Sequence, residues 1–344
     1  MNFLAIILYP FSLLYDMITR FRNYMYNSGR KTSFSFEANV ISVGNLSVGG
    51  TGKTPMIEYL IRLLDKRQMV TLSRGYGRKT KGFRIANDAD SPATVGDEPF
   101  QIFSKFKDIH VAVGEERAIA IPFILAEFPD TEVILLDDAF QHRPVKPSLS
   151  VMLTEYNKPF FKDYVLPSGR LRENRHGASR ADIIVVTKCP EDINIDGYER
   201  EIKKYNDQAL IAFSCIGYGK PMKWNGSDEA FEKKDILLVT GIANKAPLKE
   251  FLQQNYNIQA ELEYTDHHKY GQRSLNEIIN KFDEMQSDNK GIITTEKDIV
   301  KLKPLMQEKG IDIPLFYLPI ETTFAKGGKA FDETILNSII PYSN

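Results

Sequence analysis

The first 19 residues, MNFLAIILYPFSLLYDMIT, are apolar or aromatic almost throughout and carry one charge, Asp16. Downstream of Pro10 the polar residues Ser12, Asp16, Thr19, Asn23 and Asn27 recur at spacings of 4, 3, 4 and 4, the period of one helix face. The pattern predicts an amphipathic helix over residues 1–27, with one narrow polar stripe on a cylinder bearing Phe11, Tyr15, Phe21, Tyr24 and Tyr26. A spanning helix needs about 20 apolar residues, and this run is shorter and interrupted by Pro10 and Asp16. A signal peptide places basic residues before its apolar stretch, whereas Arg20, Arg22, Arg30 and Lys31 follow this one and no small-residue cleavage site appears. Besides a transmembrane anchor, two readings remain: a helix packed on the domain core, or one lying in a bilayer interface, which suits its rings and flanking arginines.

Beyond this helix, short β-branched runs alternate with longer helical patterns. Strands are predicted at residues 39–43, 69–73, 109–113, 133–136, 149–153, 183–187 and 209–214, with amphipathic helices at 55–66 and 115–127. Such alternation reads as a parallel sheet covered by helices. The Gly/Pro-bearing stretch GYGKPMKWNG then predicts a linker near residues 217–234. Strands at 235–240, 291–295 and 315–318, with helices at 246–254 and 274–286, predict a second, smaller α/β unit. The expected organisation is a helix over 1–27, a nucleotide-binding domain over 28–216 and a second domain over 217–344.

Composition sharpens this only in part. The 344 residues carry 44 Lys plus Arg against 45 Asp plus Glu, a net charge of −1. That balance argues against a surface dedicated to nucleic acid. Length alone favours two domains. Two cysteines, Cys189 and Cys215, are too few for a disulfide framework, and no Cys/His cluster has zinc-ligand spacing.

The strongest local signal is NVISVGNLSVGGTGKTPMIEYLIRLL, where a strand runs into a glycine-rich turn and directly into a helix. This is the context of a phosphate-binding loop, here Ser47, Val48, Gly49, Gly50, Thr51, Gly52, Lys53 and Thr54. Backbone N–H groups and the helix N-terminus can converge on phosphate oxygens. Lys53 would reach the β- and γ-phosphates of a nucleotide and Thr54 would bind Mg²⁺. Ser47 stands where G-x-x-x-x-G-K-[ST] has its first glycine, so the loop is a variant. In TEVILLDDAFQHR, four apolar residues end in Asp137 and Asp138, carboxylates at a strand edge where α/β sheets bind ligands and metals. SRGYGRKTKG offers Arg74, Arg78, Lys79 and Lys81 to phosphate groups or to solvent. In VGDEP, Asp97 and Glu98 either open a helix or face the same crevice as a base.

Taken in order, NLSVGGTGKTP, SRGYGR, VGDEP, DDAFQHR, LPSGRLRE, VTGIANK, TDHH and TTEKD resemble the tetraacyldisaccharide 4′-kinase family, the lipid A 4′-kinases (LpxK-like). The resemblance covers most of the chain. It implies a P-loop kinase with two α/β lobes and an apolar N-terminal helix, binding ATP and Mg²⁺. The implied reaction phosphorylates the 4′-hydroxyl of an acylated glucosamine disaccharide 1-phosphate lipid. It also implies a peripheral (monotopic) enzyme on the cytoplasmic face of the inner membrane, with no obligate protein partner.

Carried over by position, Lys53 and Thr54 hold nucleotide and Mg²⁺, Asp137 or Asp138 is the metal carboxylate, and Glu173 is a further candidate near the metal. Asp97 becomes the catalytic base, assisted by His267 of TDHH, with His268 as the competing histidine. A sugar hydroxyl is a poor nucleophile, and a carboxylate accepting its proton is the usual kinase device. Arg74, Arg78, Gln141, Arg170 and Arg172 are candidate substrate contacts, His142 has a structural alternative, and Lys297 reads as an ion-paired loop residue. Two other classes fit parts of the chain. One is an assembly or metallochaperone NTPase, although VVTKCPED has Thr187 and Pro190 where a guanine-reading loop has Asn and Asp. The other is a nucleotide-switched, membrane-recruited interaction protein.

Overall fold

The computed structural model describes residues 3–223, 231–232, 234–242, 245–266 and 268–340. The chain opens with α1 (Phe3–Asn27), followed by β1 (Asn39–Asn45), α2 (Lys53–Leu63), β2 (Met69–Ser73) and β3 (Arg84–Ile85). Next come α3 (Pro92–Val95), α4 (Asp97–Lys105), β4 (His110–Val113), α5 (Arg117–Glu127), β5 (Val133–Asp137) and β6 (Leu149–Glu155). The first lobe then runs through β7 (Ile183–Thr187), α6 (Ile195–Lys203) and β8 (Leu210–Tyr218). The smaller lobe holds β9 (Asp235–Thr240), α7 (Ala246–Gln253), β10 (Asn257–Glu263), α8 (Gln272–Asp283), β11 (Lys290–Thr295), α9 (Glu296–Glu308) and β12 (Leu315–Leu318). The chain closes with β13 (Ile320–Lys326) and α10 (Gly328–Asn337).

The large sheet has the order β13-β8-β7-β6-β1-β5-β2-β4-β3, and only its edge strands β3 and β13 run antiparallel to their neighbours. Its central strands β1, β5 and β7 are buried along their whole length, which is why they read as unbroken apolar runs rather than alternating ones. Side-chain alternation divides the core. Ile41, Val43, Leu135 and Val185 face Ile57 and Leu60 of α2 and Phe331 of α10. Val40, Ile134 and Leu136 face Ile121 and Ile124 of α5. The small sheet, β10-β9-β11-β12, is parallel throughout and is covered by α8 and α9 on one face and α7 on the other.

One expected boundary is corrected. Residues 217–344 are not all second domain, because β13 pairs antiparallel with β8 and α10 packs on the large lobe's core. The small lobe is an insertion between β8 and β13. Its two connections run side by side, with Gly219 N–H donating to the Pro319 carbonyl and Met222 and Tyr317 exchanging backbone bonds of 2.9 Å. Of the expected linker, residues 224–230 and 233 lie outside the described residues. The lobes also meet where α4 lies against α9: Lys105 bonds both Glu58 (2.5 Å) and Glu296, and Lys301 bonds Asp97 (2.6 Å).

Helix α1 turns its polar stripe inward. Ser12 accepts from the Ser168 N–H (2.9 Å), Asp16 from Asn174 (3.0 Å) and Asn27 from Arg143 (2.7 Å), while Asn23 donates to Glu173 (2.6 Å). Tyr15 and Arg22 add bonds to the Arg172 and Gln141 carbonyls. Ser12 and Thr19 are 4% and 8% exposed, whereas Phe11 and Met17 are 62% and 64% exposed. An ordinary surface helix has the reverse arrangement. The two readings of this helix are therefore compatible, since it packs on the core and still presents an apolar face outward. No described helix is long and apolar enough to cross a membrane.

Candidate active site

The phosphate loop leaves the C-terminal end of β1, the strand flanked by β5 and β6, at the crevice where open α/β sheets bind ligands. Gly49 (φ 110°) and Gly52 (φ 87°) take left-handed backbone conformations closed to most side chains. Helix α2 starts at Lys53 with no side-chain cap, which leaves its first turn available to an anion. The loop is held from behind. Asn45 donates to the Thr51 hydroxyl (2.8 Å), Thr187 to the Thr51 carbonyl (2.9 Å) and Lys188 to the Gly50 carbonyl (2.5 Å). LPSGRLRE lies along its entry, with Val48 N–H bonded to the Arg170 carbonyl and Arg172 N–H to the Leu46 carbonyl, both at 2.7 Å.

Strand pairing sets Asp137 opposite Val43 of β1, so β5 delivers both aspartates beside the loop. Adjacent in sequence, they differ in surroundings. Asp137 is buried, and burial followed by the charge of Glu98 pushes its carboxyl up to about 7. Asp138 has φ 49° and lies 3.6 Å from Lys53 Nζ and 2.9 Å from Arg172. Burial alone would raise its carboxyl, but Lys53 and Arg172 outweigh that and hold it below the usual range. Arg117, buried at the start of α5, adds a positive field to the pair; its own guanidinium is pulled down by burial.

These residues fit a Mg²⁺–nucleotide. A Cβ on Gly49 or Gly50 would meet no atom within 4 Å, so there is room for phosphates over the loop. Asp137 Oδ1 is buried without a hydrogen-bond partner, an acceptor suited to a cation or its water. Among the described residues no three His, Cys, Asp or Glu side chains converge on a metal position. A hard cation here would draw on Thr54, the aspartates, phosphate oxygens and water.

Several sequence-predicted contacts are engaged by other protein groups. Glu173 is 1% exposed and accepts from Asn23 (2.6 Å), Gln141 (3.0 Å) and Arg180 (2.7 Å), bonds that tie α1 to the core. Gln141 spends its amide on Glu173 and the Asn45 carbonyl. Arg78 is buried against Glu115 (2.6 Å) and the Gly82 carbonyl, pinning its own loop. Arg170 is bound to Asp163 (2.9 Å). Arg172 reaches the site, and exposed Arg74 lies near enough to lower both Arg117 and His142. His142 is driven to about 4, first by burial and then by Arg117, Arg22 and Arg74. Lys297 is ion-paired with Asp266 at 3.1 Å.

Asp97 opens α4 at the seam between the lobes, and the charge of the following Glu98 acts on Asp137. Its expected partner His267 lies outside the described residues. His268 stacks on Tyr264 and bonds Ser274 (2.9 Å), a packing role within the small lobe. Asp298 of TTEKD accepts from the Gly241 N–H of VTGIANK (2.8 Å), joining those two segments. Two residues escaped the sequence reading. Arg117 in GEER looks like an ordinary helix start, and only its burial marks it. Lys301 sits in an unremarkable lysine-rich stretch, and only its contact with Asp97 singles it out.

Comparisons with known proteins agree along the whole chain. The family model for tetraacyldisaccharide-1-P 4′-kinase (LpxK) matches residues 4–340. A tetraacyldisaccharide 4′-kinase of Flavobacterium johnsoniae is 44% identical, covering 98% of each chain. That of Cytophaga hutchinsonii is 38% identical, covering 100% of this chain and 98% of its own. The crystal structure of LpxK from Aquifex aeolicus in complex with ATP superposes with a TM-score of 0.78 at 26% identity, covering 98% of this chain and 100% of that one. The chain belongs to the tetraacyldisaccharide-1-P 4′-kinase family.

Proposed function

We propose that this protein transfers the γ-phosphoryl group of ATP to the 4′-hydroxyl of an acylated glucosamine disaccharide 1-phosphate at the cytoplasmic face of the inner membrane. The observation that carries the reading is Lys53 and Asp138 meeting at 3.6 Å beside a glycine loop, with Asp137 buried next to them, in a chain matched to this kinase family from residue 4 to 340. In the transfer, the 4′-oxygen attacks the γ-phosphorus and the bond from that phosphorus to the β–γ bridging oxygen breaks. ADP leaves with the electron pair, and the hydroxyl proton passes to Asp97. Lys53 and the loop N–H groups hold the charge that spreads over the γ-phosphate oxygens. Arg172 and Lys53 keep Asp138 ionised, and Thr54, Asp137 and Asp138 are the residues that would hold Mg²⁺. When bound, that cation would supply neutralisation of phosphate charge. By its position in TDHH, His267 is the group we propose to assist Asp97.

Helix α1 supports a peripheral attachment. Its polar stripe is consumed by the core, which leaves Ile6, Ile7, Phe11, Leu13, Leu14, Met17, Ile18 and Phe21 outward. Such a face buried in a bilayer interface, flanked by Arg20 and Arg30, would bring the enzyme to a lipid that does not leave the membrane. The test incubates the protein with ATP, Mg²⁺ and the disaccharide 1-phosphate lipid and analyses the lipid by mass spectrometry and phosphorus NMR. The expected product carries one added phosphate at the 4′ position. ATP hydrolysis with unmodified lipid would overturn the reading.

A further inference from the structure

The ion pair across the seam between α4 and α9 has a consequence for the base. Lys301 Nζ, on α9 of the small lobe, lies 2.6 Å from Asp97 Oδ2, on the first residue of α4 in the large lobe. The same Nζ is 3.5 Å from the His268 carbonyl, in the TDHH segment. Its side chain is only 13% exposed, so the pair is shielded from solvent far more than an ordinary surface salt bridge. One ammonium group therefore touches both segments, VGDEP and TDHH, that meet only across the seam.

A second clasp keeps this geometry in register. At the other end of α4, Lys105 is bonded to Glu296 at the start of α9 and to Glu58 of α2. The two helices thus run antiparallel along each other, with Asp97 against Lys301 and Lys105 against Glu296. α9 is itself fixed at its N-terminus, where Thr295 caps Asp298 N–H and the Asp298 carboxylate receives Gly241 N–H (2.8 Å). Lys301 is therefore presented by a braced helix rather than by a loop.

We propose that Lys301 is a positioning residue for phosphoryl transfer: it fixes the plane of the Asp97 carboxylate and ties the His268 backbone to it. The inference rests on the reading of Asp97 as base. A carboxylate on a single-bonded side chain rotates readily, and a base must point at the hydroxyl proton within hydrogen-bond reach. Holding Oδ2 on a cation sets the direction of the whole group, and misplacement of about 1 Å at such a centre costs about 100-fold in rate. The device also makes the base depend on the lobes being together, since Asp97 and Lys301 come from opposite sides of the seam.

The test uses the full-length protein with the disaccharide 1-phosphate lipid in detergent micelles, comparing Lys301→Met, Lys301→Arg, Asp97→Asn and the double variant Asp97→Asn/Lys301→Met. Lys301→Met is expected to lower kcat by about 100-fold with KM for ATP within about 2-fold. Lys301→Arg is expected to recover part of that loss, because a guanidinium can still hold the carboxylate. In the Asp97→Asn background, Lys301→Met is expected to add nothing, since a residue acting through Asp97 has nothing left to position. Unchanged kcat in Lys301→Met, or a further loss on top of Asp97→Asn, would overturn the proposal. Unchanged kcat in Asp97→Asn would instead overturn the base assignment, so the two failures are distinguishable. Thermal melts and ATP binding of each variant separate misfolding from mispositioning: a Lys301→Met protein that melts and binds ATP like the parent but turns over slowly supports the proposal. One whose loss of kcat follows only its loss of folded fraction contradicts it.

Discussion

Helices α1 and α2 are both amphipathic, and they are mounted in opposite senses. α2 buries Met56, Ile57, Leu60 and Ile61 in the core of the large sheet and presents Lys53 and Thr54 from its first turn. α1 commits its polar stripe to Asn174, Glu173 and Arg143 and leaves its apolar face outside. Periodicity reveals that a helix has two faces, but not which one the protein keeps. When the core has donors and acceptors to match the polar stripe, the apolar side is left for a partner of its own chemistry. In the proposed function, chemistry and docking fall to different helices, joined through LPSGRLRE, which touches α1, the phosphate loop and Asp138.

The sharpest way to test that division is to damage α2. Lys53→Ala should lower kcat by about 1,000-fold on lipid vesicles and on detergent-dispersed lipid alike, because in the proposed transfer the lost contact is with the reacting phosphates. A loss confined to vesicles would blur the two roles. The mirror experiment replaces Ile7, Leu14 and Ile18 of α1 with serine. Three interfacial side chains removed should weaken flotation with anionic vesicles and raise KM on vesicles by about 10- to 100-fold. The same variant should keep its kcat on dispersed lipid within about 2-fold, as those side chains face away from the core.

A pH series probes the α2 side alone. Burial and then the charge of Glu98 push the Asp137 carboxyl up to about 7, so stability that its protonated form contributes is lost as pH rises from the ordinary carboxylate range to about 7. Bound Mg²⁺ needs the ionised form. The rise in Tm produced by MgATP should therefore be larger at pH 8 than at pH 6, and Asp137→Asn should abolish the difference. The smallest expected effect comes from the inner face of α1. Asn23→Ala removes the donor 2.6 Å from Glu173 and should cost about 1–2 kcal/mol, or roughly 2 °C in Tm, without changing vesicle flotation.

The parts legible in the sequence are those whose signal is local. β1, the phosphate loop and α2 form one continuous segment, and the buried strands ending in Asp137 read as apolar runs. The return of β13 to the large sheet was not legible, because it is an edge strand with alternate residues exposed and resembles a polar loop. Where the chain turns from β13 into α10, Gly327 lets it pass closely: a Cβ there would sit 3.0 Å from the Ile211 carbonyl. β10 hides for the same reason as β13, with its residues at most half-buried. Within the site, Lys53, Asp138 and Arg172 come together as the motifs imply. The partners of Arg78 and Glu173, Glu115 and Asn23, are distant in sequence, so no motif announces those bonds. The direction of the α1 stripe belongs to the same class: it depends on acceptors and donors more than 100 residues away.

The most direct measurement follows the label from ATP carrying a radioactive γ-phosphate on vesicles containing the disaccharide 1-phosphate lipid. The account predicts one label on the lipid 4′-position for each ATP consumed, with transfer lost in Lys53→Ala and restored by detergent in the α1 serine variant. Label released as inorganic phosphate, with none on the lipid, would contradict it.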